Sequence, residues 1–321
     1  MSWDRIRAAK EKFERILMGK ANVIGVGVGK KVVAGEQTED PAVIVFVEKK
    51  LPEPQLRKKD IVPKTLDQVK TDVVETGRLK AQASMAGGRT RTDRWRPAPG
   101  GVSIGHIRIT AGTLGGVVRV GGRRVVLSNN HVLANSNAAR IGDPILQPGP
   151  ADSGTRDDAI ATLERFVEIR FEDTRTGGWM RRLAVRLGIR PAMALQRNFV
   201  DAAIAKPLQD ELVSDAILDL PRTQGIADAA VGTRVRKSGR TTGVTEGQIL
   251  ATDATVEVDY DRDIATFTDQ LVAGPMSQGG DSGSLLLDDA RKAVGLLFAG
   301  SDRTTVFNRA RRVADALGVE F

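Results

Sequence analysis

The 321-residue sequence contains no cysteine, which excludes disulfide bonds, thiolate catalysis and cysteine-ligated metal sites. It has only two histidines, His106 and His131, and so small a number disfavours a zinc site. No apolar run approaches the ~20 residues that a membrane-spanning helix requires, so we expect no membrane association. The remaining chemistry is that of hydroxyl, carboxylate and imidazole groups, and we expect neither a metal ion nor another cofactor.

Residues 1–20 are charged throughout and lack the apolar core and small-residue cleavage site of a signal peptide. We therefore expect a cytoplasmic location. The net charge of +8 would suit an anionic partner, but the basic residues are spread along the chain. Local excesses occur only at 89–96 and 175–190, which favours basic loops on a globular protein over a nucleic-acid-binding surface.

Thirty-four glycines and an aromatic content of 4% favour a fold of strands and turns over a helical bundle. Residues 1–77 predict a small α/β domain. Its amphipathic helix spans 2–19, and its strands cover 23–31, 42–48 and 71–75. Residues 78–100 are rich in glycine, proline and arginine, which predicts an exposed linker.

Strand patterns recur at short intervals beyond residue 101, beginning with a Gly121-Gly122 hairpin signature. The predicted strands form two series: 113–120, 123–128, 145–147, 159–169 and 200–205, then 233–236, 248–253, 255–258, 264–267, 284–287 and 293–298. A helix is expected over 306–317. The pattern predicts a mainly β domain of two six-stranded antiparallel barrels, at about 101–207 and 208–321, with a C-terminal helix.

One insertion, 172–198, interrupts these series. Trp179, Leu183 and Leu187 are spaced as one face of a helix, with arginines elsewhere on its surface. We expect this helix to pack on its own domain, and the alternative is a docking or lid helix.

The stretch 279–284 reads Gly-Gly-Asp-Ser-Gly-Ser, in which Ser282 stands between glycines that permit a sharp turn. The amides of Gly280 and Ser282 would then face one space and can stabilise the oxyanion of an acyl-transfer intermediate. A serine nucleophile needs a base, and His131, which follows an apolar strand, is the candidate. His106 has no comparable setting, and we expect a structural role for it.

The acid that orients the histidine has two candidates, Asp201 and Asp158. Each aspartate opens an apolar strand. Asp201 is preferred because its neighbours Ala202 and Ala203 are small enough to allow a buried carboxylate beside an imidazole. The N- to C-terminal order of histidine, aspartate and serine is one of several in which such triads occur.

These motifs resemble those of the chymotrypsin-like serine peptidases, over about 101–321. Gly280-Asp281-Ser282-Gly283 resembles the nucleophile motif of that family. The segment 237–243, Lys-Ser-Gly-Arg-Thr-Thr-Gly, is similar to the second barrel of the bacterial alpha-lytic protease and streptogrisin branch. With its N-terminal unit, the chain also resembles cytosolic trypsin-like peptidases of bacteria.

The resemblance implies a serine endopeptidase that acts on a protein or peptide through His131, Asp201 and Ser282. It also implies four substrate contacts: Met276 at the base of the primary pocket, and Phe298, Ala299 and Gly300 on a strand to which substrate adds by β-pairing. No acid lies at the pocket base, which favours a small or medium apolar residue before the cut. A basic side chain, Lys237 or Arg240, is expected to pair with Asp281.

Two further interpretations stay open. The chain can be an interaction or scaffold module of peptidase fold with little or no turnover, whose working surfaces are the N-terminal unit and the arginine-rich insertion. Alternatively, the N-terminal domain regulates a true protease by autoinhibition or by sensing a protein partner. That regulation would require residues 80–101 to move or to be cut.

Overall fold

The computed structural model describes residues 2–33, 36–81, 91–172, 197–261 and 263–321. Within these ranges the α-helices are α1 (Trp3–Met18), α2 (Asn130–Leu133) and α3 (Ala310–Leu317). Short 3₁₀ turns occupy Glu53–Gln55, Lys58–Asp60, Pro150–Asp152, Arg156–Asp158 and Asp210–Leu212. None of the helices described is long and apolar enough to cross a membrane. The helix expected around 179–187 lies outside the described residues.

The chain is mainly β. The first strands are β1 (Val23–Val33), β2 (Glu36–Val47), β3 (Thr65–Leu66), β4 (Val69–Glu75), β5 (Lys80–Ala81), β6 (Ala98–Gly100) and β7 (Ser103–His106). They are followed by β8 (Gly112–Thr113), β9 (Gly116–Val120), β10 (Arg123–Ser128), β11 (Pro144–Leu146), β12 (Ala159–Phe166), β13 (Arg197–Asn198) and β14 (Ala203–Pro207). The last are β15 (Val213–Ile217), β16 (Arg234–Gly239), β17 (Gly243–Asp259), β18 (Ile264–Ala273), β19 (Leu285–Asp288), β20 (Ala293–Gly300) and β21 (Thr305–Arg309).

The N-terminal unit consists of α1 packed on β1, β2 and β4. Ser2 caps α1 by accepting a hydrogen bond from the Arg5 amide, and Asp4 stands in the positive first turn. The helix buries Ile6 and Leu17 against valines on one face of β1 and β2. Strand β1 pairs antiparallel with β2, and β2 pairs parallel with β4. This is the small α/β unit that the sequence predicts.

The first barrel closes through one bent segment. Its sheet order is β8-β7-β11-β12-β14-β10-β9, and only Leu114 and Gly115 separate β8 from β9. The Leu114 amide donates to Val102 O and the Gly115 amide donates to Leu127 O, so this segment joins the two ends of the sheet. When β8 and β9 are counted as one strand, the sheet is a closed ring of six.

The second barrel closes through strand pairing alone. Its strands follow the order β18-β21-β20-β19-β16-β17, and β17 also pairs with β18. A shared apolar core joins the two barrels, since Val125 and Leu127 of the first belong to the same buried cluster as Leu285 and Leu296 of the second. Helix α3 packs on the same core through Val313 and other side chains. The predicted mainly β fold, with two six-stranded chymotrypsin-like barrels and a C-terminal helix, is confirmed.

The N-terminal unit adds its strands to the edge of the second barrel. Strand β1 pairs antiparallel with β17, with Gly25 opposite Val256 and Gly29 opposite Ala251. The backbones approach so closely at Gly29 that a Cβ there would overlap Leu250 O. At Gly25, too, a Cβ would lie only 2.9 Å from Thr255 O, so glycine at these two positions is required by strand contact, which the sequence pattern alone does not indicate.

The expected C-terminal helix begins later than predicted. Residues 306–309 belong to β21, which pairs with both β18 and β20, and the helix spans only Ala310–Leu317. Val306 and Phe307 are fully buried inside the barrel. Two strand contacts and this burial outweigh the helical pattern of the sequence.

Two further expectations are corrected. The strands predicted at 248–253 and 255–258 are parts of one 17-residue strand, because bulges around Asp253, which has a φ of +52°, let β17 continue. The predicted linker 78–100 is not exposed at its end. Residues 98–100 are buried and pair with β15, because the parallel contact places them between the barrel and Ile217.

Candidate active site

The turn that carries Ser282 is built by two glycines with positive φ, Gly280 at +96° and Gly283 at +99°. A Cβ on Gly283 would overlap both the Ser128 hydroxyl and Thr113 O. The Thr113 amide donates to Ser282 O at 2.7 Å, and its hydroxyl donates to Gly280 O at 2.8 Å. The turn of the second barrel is thereby held against strand β8 of the first.

Asp281 anchors this turn from below. Its carboxylate accepts from the amides of Gln278, Thr241 and Thr242, at 2.9–3.1 Å, and from the Thr242 hydroxyl at 2.6 Å. The Lys237 ammonium donates to Asp281 Oδ2 at 2.9 Å, and both side chains are fully buried. Burial lowers the pKa of Lys237 from its ordinary value, and the charge of Asp281 opposes that shift.

Of the two basic partners expected for Asp281, the structure brings Lys237 to it. Arg240 instead forms a buried ion pair with Asp152, through Nε at 2.6 Å and a second contact of its guanidinium group. Since Asp152 belongs to the first barrel and Arg240 to the second, this pair ties the barrels together beside the Ser282 turn.

His131 stands in the short helix α2 directly after β10, and Asp201 precedes β14. The distance from His131 Nδ1 to Asp201 Oδ2 is 2.5 Å, and the His131 amide donates to Asp201 Oδ1 at 3.2 Å. Asp201 is fully buried, whereas the His131 side chain is 11% exposed. The carboxylate therefore contacts both the ring and the backbone of the histidine.

The backbone of Asp201 is fixed at both ends. Asn129 Nδ2 donates to Asp201 O at 2.7 Å, and the Asp201 amide donates to Asn308 Oδ1 at 3.0 Å. Asn308 in turn donates to Gln270 Oε1 at 2.7 Å. Because all three amide side chains are buried, this network fixes the backbone from which the carboxylate extends.

The sequence interpretation missed Tyr260, which is the only tyrosine of the chain. Its hydroxyl donates to Asp201 Oδ2 at 2.8 Å, and its ring meets the His131 ring edge-on at a centroid distance of 6.0 Å. Burial, followed by the negative charge of Asp201, raises the pKa of Tyr260 well above its ordinary value of 10.0. The phenol therefore stays protonated and acts as a donor. That the chain has a single tyrosine is the one signal, and a weak one, by which the sequence could have pointed to this residue.

Asp158, the other acid considered, lies elsewhere. It closes a capping box with Thr155 and forms an ion pair with Arg94 at 3.0 Å. The Thr155 backbone hydrogen bond is the largest cause that lowers the pKa of Asp158. Asp201, and not Asp158, is the carboxylate in contact with His131.

The Ser282 turn and α2 meet at the junction of the barrels. A Cβ on Gly112 would contact both Val132, which follows His131, and Ser282 O. Ser282 Oγ lies 3.5 Å from Phe298 O, while His131 Nε2 is buried and has no hydrogen-bond partner among the residues described. Gly280, expected to supply an oxyanion amide together with Ser282, enters the described hydrogen bonds only as an acceptor.

The expected substrate contacts fall in two places. Met276 is 4% exposed and packs in the core of the second barrel, with its Sδ atom against Gly247. Phe298, Ala299 and Gly300 end strand β20, and Phe298 O is the carbonyl beside Ser282 Oγ. The strand is therefore next to the serine, while the methionine lines the barrel interior.

His106 is fully buried and separate from this site. Its Nδ1 atom accepts a hydrogen bond from the Arg108 amide, so its Nε2 atom donates to Asp143 Oδ2 at 3.0 Å. Both ring nitrogens are engaged within the first barrel. This agrees with the structural role that the sequence suggests.

Two family models match parts of the chain. The NARROW LEAF 1 N-terminal domain matches residues 4–74, and the Nal1 C-terminal domain matches residues 216–311. Lys237, Tyr260 and Ser282 lie within the second match, whereas His131 and Asp201 lie between the two. The chain is thus similar to these domains over its N-terminal unit and most of its second barrel. No curated protein sequence matches it.

Several solved structures are similar to the chain in fold. The Nocardiopsis protease NAPase is 16% identical, covering 69% of this chain and 96% of its own, with a TM-score of 0.47. Thermobifida fusca protease A is 17% identical, with coverages of 69% and 96% and a TM-score of 0.46. A glutamic acid specific serine protease is 18% identical, with coverages of 70% and 99% and a TM-score of 0.47. At these values they carry no information on the activity of this chain.

Proposed function

We propose that the protein is a serine endopeptidase in which Ser282 is the nucleophile, His131 the general base and Asp201 the orienting acid. The observation that carries this proposal is the pairing of His131 Nδ1 with the buried Asp201 carboxylate at 2.5 Å. Because the Nδ1–H group donates a hydrogen bond to the carboxylate, Nε2 is left as the basic nitrogen. That atom has no partner among the described residues, so it is available to a nearby hydroxyl.

The reaction follows from these assignments. Ser282 Oγ attacks the peptide carbonyl carbon as its proton passes to His131 Nε2, and a tetrahedral intermediate forms. The imidazolium returns the proton to the leaving amine when the carbon–nitrogen bond breaks, leaving an acyl-enzyme. Water then repeats the sequence, releases the acid and restores the serine. Asp201 keeps the histidine tautomer and stabilises its positive charge, without taking the proton itself.

The oxyanion in this scheme is bound by the amides of Gly280 and Ser282. Support comes from the positive φ of Gly280, which turns the backbone so that consecutive amides need not point into the core. Asp281, between them, is fixed by the buried Lys237 and three backbone amides, so the turn is held before substrate arrives. Preorganised donors of this kind contribute much of the rate enhancement in acyl transfer.

The substrate, location and partners are proposals of the same kind. We expect cleavage after a small or medium apolar residue, with Met276 at the base of the pocket and substrate paired to residues 298–300. A chain without cysteine suits a reducing compartment, which supports a cytoplasmic location. A regulatory protein partner would bind through the N-terminal unit, whose strands continue the sheet of the second barrel.

A small fluorophosphonate probe tests for an activated serine. We expect stoichiometric labelling of the wild-type protein, none of Ser282→Ala, and almost none of His131→Ala. Thermal unfolding of each variant serves as the control for folding. If folded wild-type protein is not labelled, the enzyme proposal is wrong, and the interaction module without turnover becomes the better description.

The two aspartates provide a matched pair for the acid. Asp201→Asn should lower turnover on the order of 10⁴-fold, because an amide stabilises the wrong histidine tautomer. Asp158→Asn should leave turnover within about 2-fold of wild type, since its carboxylate only caps a turn and pairs with Arg94. The opposite pattern would transfer the role to Asp158.

A further inference from the structure

Strand β20 has an edge beside Ser282 that β19 does not cover. One side of β20 pairs with β21 as far as Gly300, which lies opposite Thr305. On the other side β19 ends at Leu285, opposite Leu296, so residues 298–300 extend past it. The serine hydroxyl lies 3.5 Å from Phe298 O at the start of this edge. An extended peptide can add here as a strand.

The chain's own segment β5 occupies this edge. Ala81 lies opposite Ala299 and Lys80 lies opposite Gly300, in antiparallel register. From Lys80 to Ala81, β5 passes from the position opposite Gly300 to the position opposite Ala299. This is the direction toward Ser282. On its other side, Lys80 pairs with Asp259 of β17, the residue before Tyr260. The backbone of β5 thus fills the position of an added strand.

The residues before β5 fasten it in place. Leu79 is 2% exposed and packs in the core that contains Phe298 and Ala299, and its carbonyl accepts from the Asp259 amide at 3.2 Å. Arg78 forms an ion pair with Asp259 at 2.6 Å. Further back, Glu75 pairs with Arg303 at 2.7 Å, and Thr76 O accepts from the Ser301 hydroxyl. These contacts bind the segment to β17 on one side and to the turn between β20 and β21 on the other.

We propose that residues 79–81 are an intramolecular occupant of the substrate-binding edge, so that an extended protein substrate must displace this segment before it reaches Ser282. The effect on catalysis rests on the proposed function, whereas the position of the segment rests on the observed strand pairing. It defines one regulatory element, the connection between the N-terminal unit and the barrels. Any event that draws Leu79 out of the core would open the edge.

The first experiment opens the edge. Lys80→Pro with Ala81→Pro removes both backbone amides of β5, and Lys80→Ala is the matched control because it keeps both. Each protein is treated with a small fluorophosphonate, which needs only the serine, and with a short alanine-rich peptidyl phosphonate, which also needs the edge. We expect the proline variant to react about 10-fold faster with the peptidyl probe than the control, and equally fast with the small probe. A 10-fold gain corresponds to a segment docked about 90% of the time.

The second experiment closes the edge and does not depend on turnover. Because the chain has no cysteine, Lys80→Cys with Asp259→Cys allows a single disulfide that would fix β5 in its place. In a Ser282→Ala background, a fluorescently labelled alanine-rich peptide is titrated before and after addition of reductant. We expect binding by the reduced protein to be at least about 10-fold tighter than binding by the oxidised protein.

The outcomes separate the two proposals. If the small probe labels Ser282 but neither the proline pair nor the disulfide changes peptide reactivity or binding, the occupancy proposal is wrong and the enzyme proposal stands. If no probe reacts in any variant while the disulfide still blocks peptide binding, the segment occupies a peptide-binding edge and the enzyme proposal fails. Equal binding by oxidised and reduced protein overturns the occupancy proposal in either case.

Discussion

At the scale of single residues, the centre of the site is a carboxylate with three donors around it. Asp201 accepts from His131 Nδ1, from the His131 amide and from the Tyr260 hydroxyl. Hydrogen bonds to a buried carboxylate are short and about twice as strong as neutral ones. In the proposed enzyme we therefore expect Tyr260 to act on His131 through Asp201, as a positioning residue.

Replacing Tyr260 with phenylalanine keeps the ring and removes only the hydroxyl group. A lost hydrogen bond to a charged acceptor is worth about 1.5 to 3 kcal/mol, so we expect kcat to fall at least about 10-fold. KM should stay within about 2-fold, because the hydroxyl contacts the acid and no substrate. Steady-state kinetics across a pH series measures both constants and the shape of the pH profile. Wild-type kcat together with an unchanged pH profile would contradict the positioning role.

The sequence pointed to His131, Ser282 and a choice of two acids through their order and local motifs. It did not point to Tyr260, because the contact joins residues 59 positions apart in sequence and in different barrels. The same holds for Arg240. The sequence makes it one of two basic partners expected for Asp281, and yet it pairs with Asp152. The pairing of charged side chains is decided by tertiary packing, and no local sequence pattern encodes it.

At the scale of elements, the turn that carries Ser282 depends on the conformation and smallness of glycine. Gly283 combines a positive φ with contact between barrels, since any side chain would overlap Ser128 and Thr113. Gly121, in the hairpin of the first barrel, also has a positive φ, but nothing lies within 4 Å of its Cβ position. Comparing the same substitution at both positions therefore separates the energetic cost of backbone strain from that of steric overlap.

Alanine at Gly283 should lower the free energy of unfolding by about 3 kcal/mol or more, the sum of strain and overpacking, and should abolish labelling of Ser282. The same substitution at Gly121 should cost about 1 to 2 kcal/mol and leave labelling intact. Urea denaturation and the fluorophosphonate probe measure the two effects. Equal costs at both positions would show that the contact with Ser128 does not constrain the turn.

Element identity was predictable where local patterns are strong. The glycine pair at 121–122 marks a hairpin, and the apolar face of 2–19 marks a helix, and both are present. Residues 306–309 were assigned to the helix because they continue its apolar pattern. They form a strand because β18 and β20 flank them on both sides. Those two neighbours lie elsewhere in the sequence.

At the scale of the whole molecule, the single tyrosine reports on global unfolding at alkaline pH. Its pKa is raised well above 10.0 in the folded state by burial and by Asp201. At a pH between the pKa values of the unfolded and the folded state, the Tyr260 hydroxyl has lost its proton in the unfolded chain and keeps it in the folded protein. The contribution to stability is therefore complete below pH 10 and is lost as pH rises above it, by up to about 1.4 kcal/mol per pH unit.

We therefore expect no tyrosinate absorbance while the protein stays folded above pH 10, and its appearance only together with loss of structure. Ultraviolet absorbance and circular dichroism followed in one titration check this coincidence. Tyr260→Phe removes this contribution, so its stability should fall less steeply over the same pH range. Tyrosinate that forms near pH 10 in folded protein would show that the Tyr260 hydroxyl is not buried against Asp201.

By itself the sequence determined the chemistry that was possible: a chain with no cysteine, two histidines and one Gly-Asp-Ser-Gly turn, divided into an α/β unit and two series of strands. Hydrophobic periodicity and glycine turns are local, and for that reason they can be recognised without a structure. Tertiary structure decided which aspartate meets His131, that Tyr260 joins them, and that the N-terminal unit continues the second barrel. It also decided that residues 80–81 pair with the strand beside Ser282. Each of these is a contact between distant segments, fixed only when the barrels close and their surfaces pack together.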